Sequence, residues 1–425
     1  MNKEIIKNSL MKAILISTDF SNMIGNINNV LNRYKKNNVN NILLTQMNSL
    51  GDLILAIPAI REIRKNFPTA HITLICYNKY VDIVKYLPYI NEIIPSDLQG
   101  VNIFNIFLQA INFCYKYLWN RVYNLAINLH WSHNDFIGSI IQWMSITNYN
   151  IGYSFDAERQ YYNKDFSLQS FLDMLKMDKY ILTKSIINPY KMYHEVDRKL
   201  YILEKLGLKI TNRNLELFID NKSIQFANNL LNNIYNRKII ISLGSSNEVK
   251  RYSVKKLLIV LKEIIKDDNT LILLGNGYQE FIDSHYLTNN ISCINLVNKT
   301  TIRETAAVIS QSDLYIGNDT GLMHIAVAFD KPIIYYICQA KNKNRFIGSC
   351  SEKDRFRPYH NKYIVLQPDF ALGDCKDIYT YGGCISQHAH CINQIDPQEI
   401  IKAYFKIKQQ FLGDNNDSTR INKLY

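Results

Sequence analysis

Apolar and polar positions follow the same order in two separate blocks of this chain. In the first block an apolar run at residues 41–45 leads into a polar stretch, 46–52, and then into apolar residues at helical spacing, 53–67. Pro68 stops that segment, and a second apolar run follows at 71–76. In the second block the run 238–243 leads into the polar stretch 244–250, a helix-period segment at 254–265 and a further run at 270–274. Strand, polar loop, helix, strand is a βαβ unit, which requires a parallel sheet. Two such units roughly 200 residues apart predict two Rossmann-like domains. Runs at 125–129, 314–316 and 333–337 add strands to both halves. The join falls within 210–236, where Asp220 or Ser223 is placed to cap a new helix. The expected organisation is therefore an extension over 1–38, an N-terminal domain over 39–215, a C-terminal domain over 216–412 and a disordered tail over 413–425.

One junction stands apart. The apolar residues Leu314, Tyr315 and Ile316 end at Gly317, and a polar turn containing Asp319, Thr320 and Gly321 leads into a helix-like stretch that holds His324. Free backbone N–H groups and the positive end of a helix dipole would meet there, a setting that suits phosphate. The same pattern also describes a plain strand-to-helix turn with Asp319 or Thr320 as N-cap.

Composition narrows the field. With 425 residues, 47% of them apolar, the chain can fill two to three domains. Charged residues make up 20%, too few for a largely disordered chain. The net charge of +12 points to an anionic partner. Zinc-finger spacing, RNP-like signatures and basic zippers are absent, which argues against nucleic acid. The run from Lys12 to Ile16 is too short for a signal peptide. Residues 101–119 are interrupted by Asn102, Asn105, Gln109, Asn112 and Lys116 at helical spacing, so they read as an amphipathic helix and not as a membrane span. Such a helix packs into a core or, given its aromatics, rests on a membrane surface. Of eight cysteines, Cys76, Cys114, Cys293 and Cys338 sit in apolar surroundings and read as core residues, whereas Cys350, Cys375, Cys384 and Cys391 cluster late. Without an export signal these are expected as thiols in the cytosol.

The loops carry the candidate chemistry. The stretch after the first strand has Gly51 alone where a dinucleotide fold would have G-x-G-x-x-G, and the chain has no P-loop. Asp52 falls at the C-terminal edge of the first strand, where open α/β sheets bind ligands and a carboxylate can take a proton from a hydroxyl. It is equally a favourable charge on a helix dipole. In the second unit Ser245 and Ser246 could hold phosphate oxygens while Lys250 neutralises them. A solvated lysine is the plainer reading. Glu280, after Gly275 and Gly277, is placed for a ribose hydroxyl or for the surface.

At this point the chain resembles glycosyltransferase family 9, the ADP-heptose:lipopolysaccharide heptosyltransferases. Residues 42–52 and 58–68 are similar to the family's S-x-G-D opening and its P-A-[IL] helix. Further matches are 123–129 with 151–153, 194–198 with 206–208, and 241–252, where Tyr252 and Ser253 replace the family's Trp-Pro. Residues 317–324 are similar to G-x-D-[ST]-G-x-x-H. The matches run in order over roughly residues 41–400.

The resemblance implies an α/β chain of GT-B fold, two Rossmann-like domains with parallel sheets facing across a cleft. It places the acceptor on the first domain, beside Asn48, Ser49 and Gly51, and the nucleotide sugar on the second. Asp52 becomes the general base and Lys250 the diphosphate contact. Ser245, Ser246, Glu280, Asp319, Thr320, Gly321 and His324 become donor contacts. The implied reaction is inverting transfer of a heptose or similar sugar, with ADP-heptose as donor and an anionic lipopolysaccharide-core acceptor. It needs no cofactor and occurs in the cytoplasm with transient contact at the inner membrane face. One branch of the family modifies autotransporter proteins and holds iron on cysteines. Cys350, Cys375, Cys384 and Cys391 therefore read as an iron or zinc site or as plain thiols, and a protein acceptor stays open as the alternative. A non-catalytic sugar-nucleotide-binding protein is the reading from another class.

Overall fold

The computed structural model describes residues 39–98, 103–130, 136–153, 182–186, 194–245, 247–341, 346–347, 350–372 and 388–413. The extension 1–38, Ser246, Cys375, Cys384 and all of the tail except Gly413 lie outside the described residues.

The first half contains β1 (Asn41–Gln46), α1 (Leu50–Ile54), α2 (Ile57–Asn66), β2 (His71–Tyr77), α3 (Val81–Val84), β3 (Glu92–Ser96), α4 (Ile103–Tyr117), β4 (Leu125–Asn128), α5 (Phe136–Met144), β5 (Asn150–Tyr153), β6 (Lys184–Ile186) and α6 (Glu195–Lys205). Its strands form one sheet in the order β3-β2-β1-β4-β5-β6, and every pairing is parallel.

The second half contains α7 (Asn221–Leu231), β7 (Arg237–Ser242), α8 (Val254–Ile265), β8 (Asn269–Leu274), α9 (Tyr278–Thr288), β9 (Ile294–Asn295), α10 (Ile302–Ser310), β10 (Leu314–Asn318), α11 (Gly321–Ala328), β11 (Ile333–Tyr336), the short antiparallel pair β12 (Phe346–Ile347) and β13 (Cys350–Ser351), α12 (Glu352–Phe356), β14 (Tyr363–Leu366) and α13 (Pro397–Phe411). Its sheet runs β14-β11-β10-β7-β8-β9, again parallel throughout.

Both sheets thus have the doubly wound Rossmann order. In each, the winding reverses at one place: between β1 and β4, and between β7 and β10. The crevice beyond the strand ends at such a reversal is where this architecture binds ligands. The strands that flank the reversals are almost wholly buried. Ile42, Leu43 and Leu44 in β1 and Ile239, Ile240 and Ile241 in β7 are fully covered on both faces, as parallel sheets require.

The helix expected over 53–67 is two helices. It starts earlier, at Leu50, because the Ser49 side chain accepts from the Asp52 backbone N–H and caps it. It breaks at residues 55–56 because Pro58, in the first turn of α2, has no N–H to give Ile54 and its ring would clash there. Asp220 caps α7, accepting from the Ser223 N–H, as one of the two expected alternatives. Residues 101–119 yield α4, which packs Ile106, Ala110, Phe113 and Cys114 into the core and leaves Tyr115 and, just beyond its end, Trp119 exposed. Among the described residues no helix is long and apolar enough to cross a membrane. Cys76 and Cys114 are core residues, and burial pushes both thiols up to about 12. Cys293 and Cys338 are only half-buried.

The two halves meet through α1 and α11. Ile54 and Leu55 from the first half share a buried apolar cluster with Met323 and Ile325 from the second. That contact brings the two strand-end crevices together.

Candidate active site

Asp52 lies in α1 and is 7% exposed. The Ser49 hydroxyl donates to Asp52 Oδ2 at 2.7 Å, while Oδ1 is buried with no hydrogen-bond partner. The Ser49 contact therefore fixes the carboxylate and leaves its other oxygen without a partner in the protein. Beside it, Asn48 Nδ2 lies 2.6 Å from His130 Nε2, and the Ser49 N–H donates to Asn48 Oδ1 at 2.8 Å. His130 follows β4, so it comes from the other side of the first reversal. No motif singles it out in the sequence, although it lies two residues past a strand at a reversal.

The opposite wall is built by the loops after β7 and β10. Lys250 Nζ is 3.7 Å from Asp319 Oδ2, and Asp319 Oδ1 is 4.0 Å from His324 Nε2. His324 is buried in the first turn of α11, and its Nδ1 has no hydrogen-bond partner. A Cβ added at Gly51 would stand 3.0 Å from His324 Cδ2, so glycine here lets the start of α1 lie close against that histidine without displacing it. Lys250, Asp319, His324 and Asp52 therefore form one continuous path across the cleft. Thr320 occupies the N-cap of α11 without capping through its side chain, and its hydroxyl lies 3.2 Å from the Tyr315 hydroxyl. The first N–H groups of α11 are left for a ligand.

Ser245 is buried, and its hydroxyl accepts from the Asn247 N–H at 3.3 Å. Glu280 is not the surface carboxylate that one reading expected. It is 4% exposed, and Arg251 Nη2 donates to its Oε1 at 2.7 Å. Arg251, missed in the sequence, thus fixes Glu280 at the rim of the second crevice. The Tyr252-Ser253 departure also has a physical basis. The buried Tyr252 donates its hydroxyl proton to Ile395 O at 2.9 Å, and the Ser253 N–H donates to Asn393 Oδ1 at 2.8 Å, a bond that proline could not make.

A group of buried charges lies beyond Asp52. Glu195 and Lys199 on α6 are fully covered and pair at 3.1 Å, and Arg355 on α12 donates to Glu195. Burial alone would raise the Glu195 carboxyl, but Arg355, Lys199 and Arg198 around it hold it well below the usual range. The pairing ties the first half to the second. Its sequence signal was faint: a Glu and a Lys at helical spacing, i and i+4, just after His194.

Three buried histidines line this region. Burial, with His194 adding to it, lowers His324 to about 3, although Asp52 and Glu195 oppose the change. Burial likewise lowers His130 and His194, each to about 4. All three are neutral near pH 7. The unfolded chain takes up these protons near pH 6.5 and the folded one only near 3–4, so stability falls as pH drops through that window, by up to about 1.4 kcal/mol per unit for each ring. Thermal unfolding should give a lower midpoint at pH 5 than at pH 7; an unchanged or higher midpoint would contradict these assignments.

The late cysteines give no assembled site among the described residues. The Cys391 thiol lies 3.0 Å from His390 Nδ1 and accepts from the Leu372 N–H at 3.4 Å. Cys350 is in β13, with its side chain not described, and Cys375 and Cys384 lie outside the described residues. Among the described residues no group of three or more His, Cys, Asp or Glu side chains is arranged to hold a metal ion.

Comparison with known proteins agrees with this architecture. Residues 175–342 match the profile of Glycosyltransferase family 9 (heptosyltransferase). The chain is 28% identical over 247 residues to lipooligosaccharide heptosyltransferase 2 of Campylobacter jejuni, covering 56% of this chain and 70% of that protein. It is 23% identical over 388 residues to lipopolysaccharide heptosyltransferase 1 of Campylobacter coli, covering 88% and 99%. Among solved structures it is similar to a family 9 glycosyltransferase from Veillonella parvula, with a TM-score of 0.67 at 21% identity over 87% of this chain and 97% of that one. It is also similar to the ADP-heptose lps heptosyltransferase II of E. coli, with a TM-score of 0.63 at 15% identity over 88% and 100%. With two parallel Rossmann sheets whose strand-end crevices meet, the chain has the GT-B fold, and over residues 175–342 it matches the Glycosyltransferase family 9 (heptosyltransferase) profile.

Proposed function

We propose that this enzyme is an inverting heptosyltransferase that moves a heptose from ADP-heptose to a hydroxyl of a lipopolysaccharide-core acceptor at the cytoplasmic face of the membrane. The observation that carries the reading is the placement, around one cleft, of a buried carboxylate with an unpartnered oxygen and of a lysine beside a helix N-terminus. The names of the Campylobacter relatives supply the substrate class. The acceptor domain is taken as 39–215 and the donor domain as 216–412, because α6 packs on α2 and α7 packs on α10.

In this reading Asp52 Oδ1 takes the proton of the acceptor hydroxyl as that oxygen attacks the anomeric carbon. Ser49 holds the carboxylate in register through Oδ2. The bond from the anomeric carbon to the diphosphate breaks on the opposite face, and the sugar inverts. Negative charge grows on the departing ADP, where Lys250 and the N–H groups at Thr320 and Gly321 lie ready before the reaction begins, which is how such charge is stabilised most effectively. Binding the diphosphate draws Lys250 from Asp319, which is then available to the donor together with His324. Ser245 holds phosphate oxygens and Glu280, fixed by Arg251, meets the ribose. The net charge of +12 favours the anionic acceptor.

The test is incubation with a panel of nucleotide sugars and with heptose-deficient lipopolysaccharide core or autotransporter-type protein as acceptor, read by mass spectrometry. Addition of one heptose to the core acceptor, from ADP-heptose in preference to the other donors, is the expected outcome. Addition to the protein alone would move the acceptor assignment, and binding of ADP-heptose with no transfer to either acceptor would leave a non-catalytic sugar-nucleotide binder.

A further inference from the structure

The residue that holds Asp52 is itself exposed. Ser49 caps α1 and donates to Asp52 Oδ2 at 2.7 Å, but packing does little to fix it. What ties it down is a run of hydrogen bonds that crosses the first reversal. The Ser49 N–H donates to Asn48 Oδ1 at 2.8 Å, and Asn48 Nδ2 lies 2.6 Å from His130 Nε2. The His130 N–H donates to Asn128 Oδ1 at 3.0 Å, and Asn128 Nδ2 donates to the Ser139 hydroxyl on α5 at 2.9 Å. Asn128, His130 and Ser139 are each 4% exposed, so the far end of this run is anchored in the interior of the first half. The run also has a direction. The Ser49 N–H fixes Asn48 Oδ1, so the NH₂ end of the Asn48 amide faces His130. An amide N–H only donates, so Nε2 accepts and the neutral ring carries its proton on Nδ1. A proton on Nε2 would set two donors against each other, and turning the Asn48 amide over would move the same conflict to the Ser49 N–H.

We propose that His130, as the Nδ1–H tautomer, is a positioning residue for Asp52: it accepts from the Asn48 amide, which fixes the Ser49 backbone, and Ser49 in turn fixes the carboxylate. The inference rests on the reading of Asp52 as general base given above. The role asks for a hydrogen-bond acceptor at the place of Nε2 and for no proton transfer by the ring. It acts on the base and not on the donor wall, so its loss falls on turnover. A base must lie within hydrogen-bond reach of the proton it takes, and a small misplacement costs much of the rate. Glutamine can present an oxygen where Nε2 lies, whereas leucine fills the space and accepts nothing.

The experiment has two arms. NMR of the full chain with ¹⁵N-labelled histidines, the His130 signals assigned by their loss in H130Q, reads the tautomer near pH 7. Nδ1 should be protonated and Nε2 bare, and in N48D, where both side-chain oxygens accept, Nε2 should carry a proton. Steady-state kinetics of wild type, H130L and H130Q with ADP-heptose and core acceptor form the second arm, with thermal unfolding of each. H130L should lose kcat, by up to about 10²-fold, with the donor KM little changed. H130Q should recover most of that loss. A protonated Nε2 in wild type, an H130L enzyme with wild-type kcat or with its loss carried by the donor KM, or a stable H130Q as slow as H130L overturns the role of His130 alone. Should H130L not fold, the wild-type tautomer and H130Q decide. A wild type that transfers nothing from any nucleotide sugar overturns the glycosyltransferase reading, and the role of His130 with it.

Discussion

Asp52→Asn lowers turnover by about 10²–10⁴-fold while donor affinity stays near that of wild type. The substitution keeps the shape of the side chain and an oxygen that can accept the Ser49 hydroxyl, so the cap on α1 survives. What disappears is the ability to take a proton at the buried oxygen that has no partner in the protein. The donor contacts assigned to Lys250 and α11 are on the other wall and are untouched. Turnover at saturating ADP-heptose, measured beside calorimetric binding of the same donor, separates the two effects. Near-normal turnover would remove the general-base role, and a loss of binding equal to the loss of rate would recast Asp52 as a donor ligand.

Glu195→Gln should cost about 3–5 kcal/mol of folding stability, because it leaves Lys199 and Arg355 buried without their carboxylate. Glu195 is fully covered, and its partners come from the two halves of the chain. The exposed Lys266–Glu263 pair, at 62% and 43% side-chain exposure, is the internal control. Glu263→Gln there should change stability by less than about 1 kcal/mol. Denaturant unfolding of both variants measures the contrast, and equal effects would mean that the Glu195 cluster is hydrated and weak.

Much of the fold was legible because parallel strands buried on both faces leave long apolar runs. The runs at 41–45, 238–243 and 270–274 lie within one residue of β1, β7 and β8 at every end. Helix boundaries were less legible where one proline outweighed periodicity: Pro58 splits a segment whose apolar spacing continues through it. On the candidate site, Asp52, Lys250, Asp319 and His324 stood out because each falls in the loop or helix start that follows a strand. The residues that were missed act on groups distant in sequence. Arg251 matters through Glu280, and His130 through Asn48.

The measurement that bears most directly on the cleft as a transfer site is the anomeric configuration of the product, read by NMR after reaction of ADP-heptose with core acceptor. A single base on one wall and the leaving diphosphate on the other predict one displacement, and hence a glycosidic bond inverted relative to the donor, formed with release of ADP. A product that retains the donor's configuration would contradict the account, since attack on the face opposite the departing diphosphate can only invert the anomeric carbon.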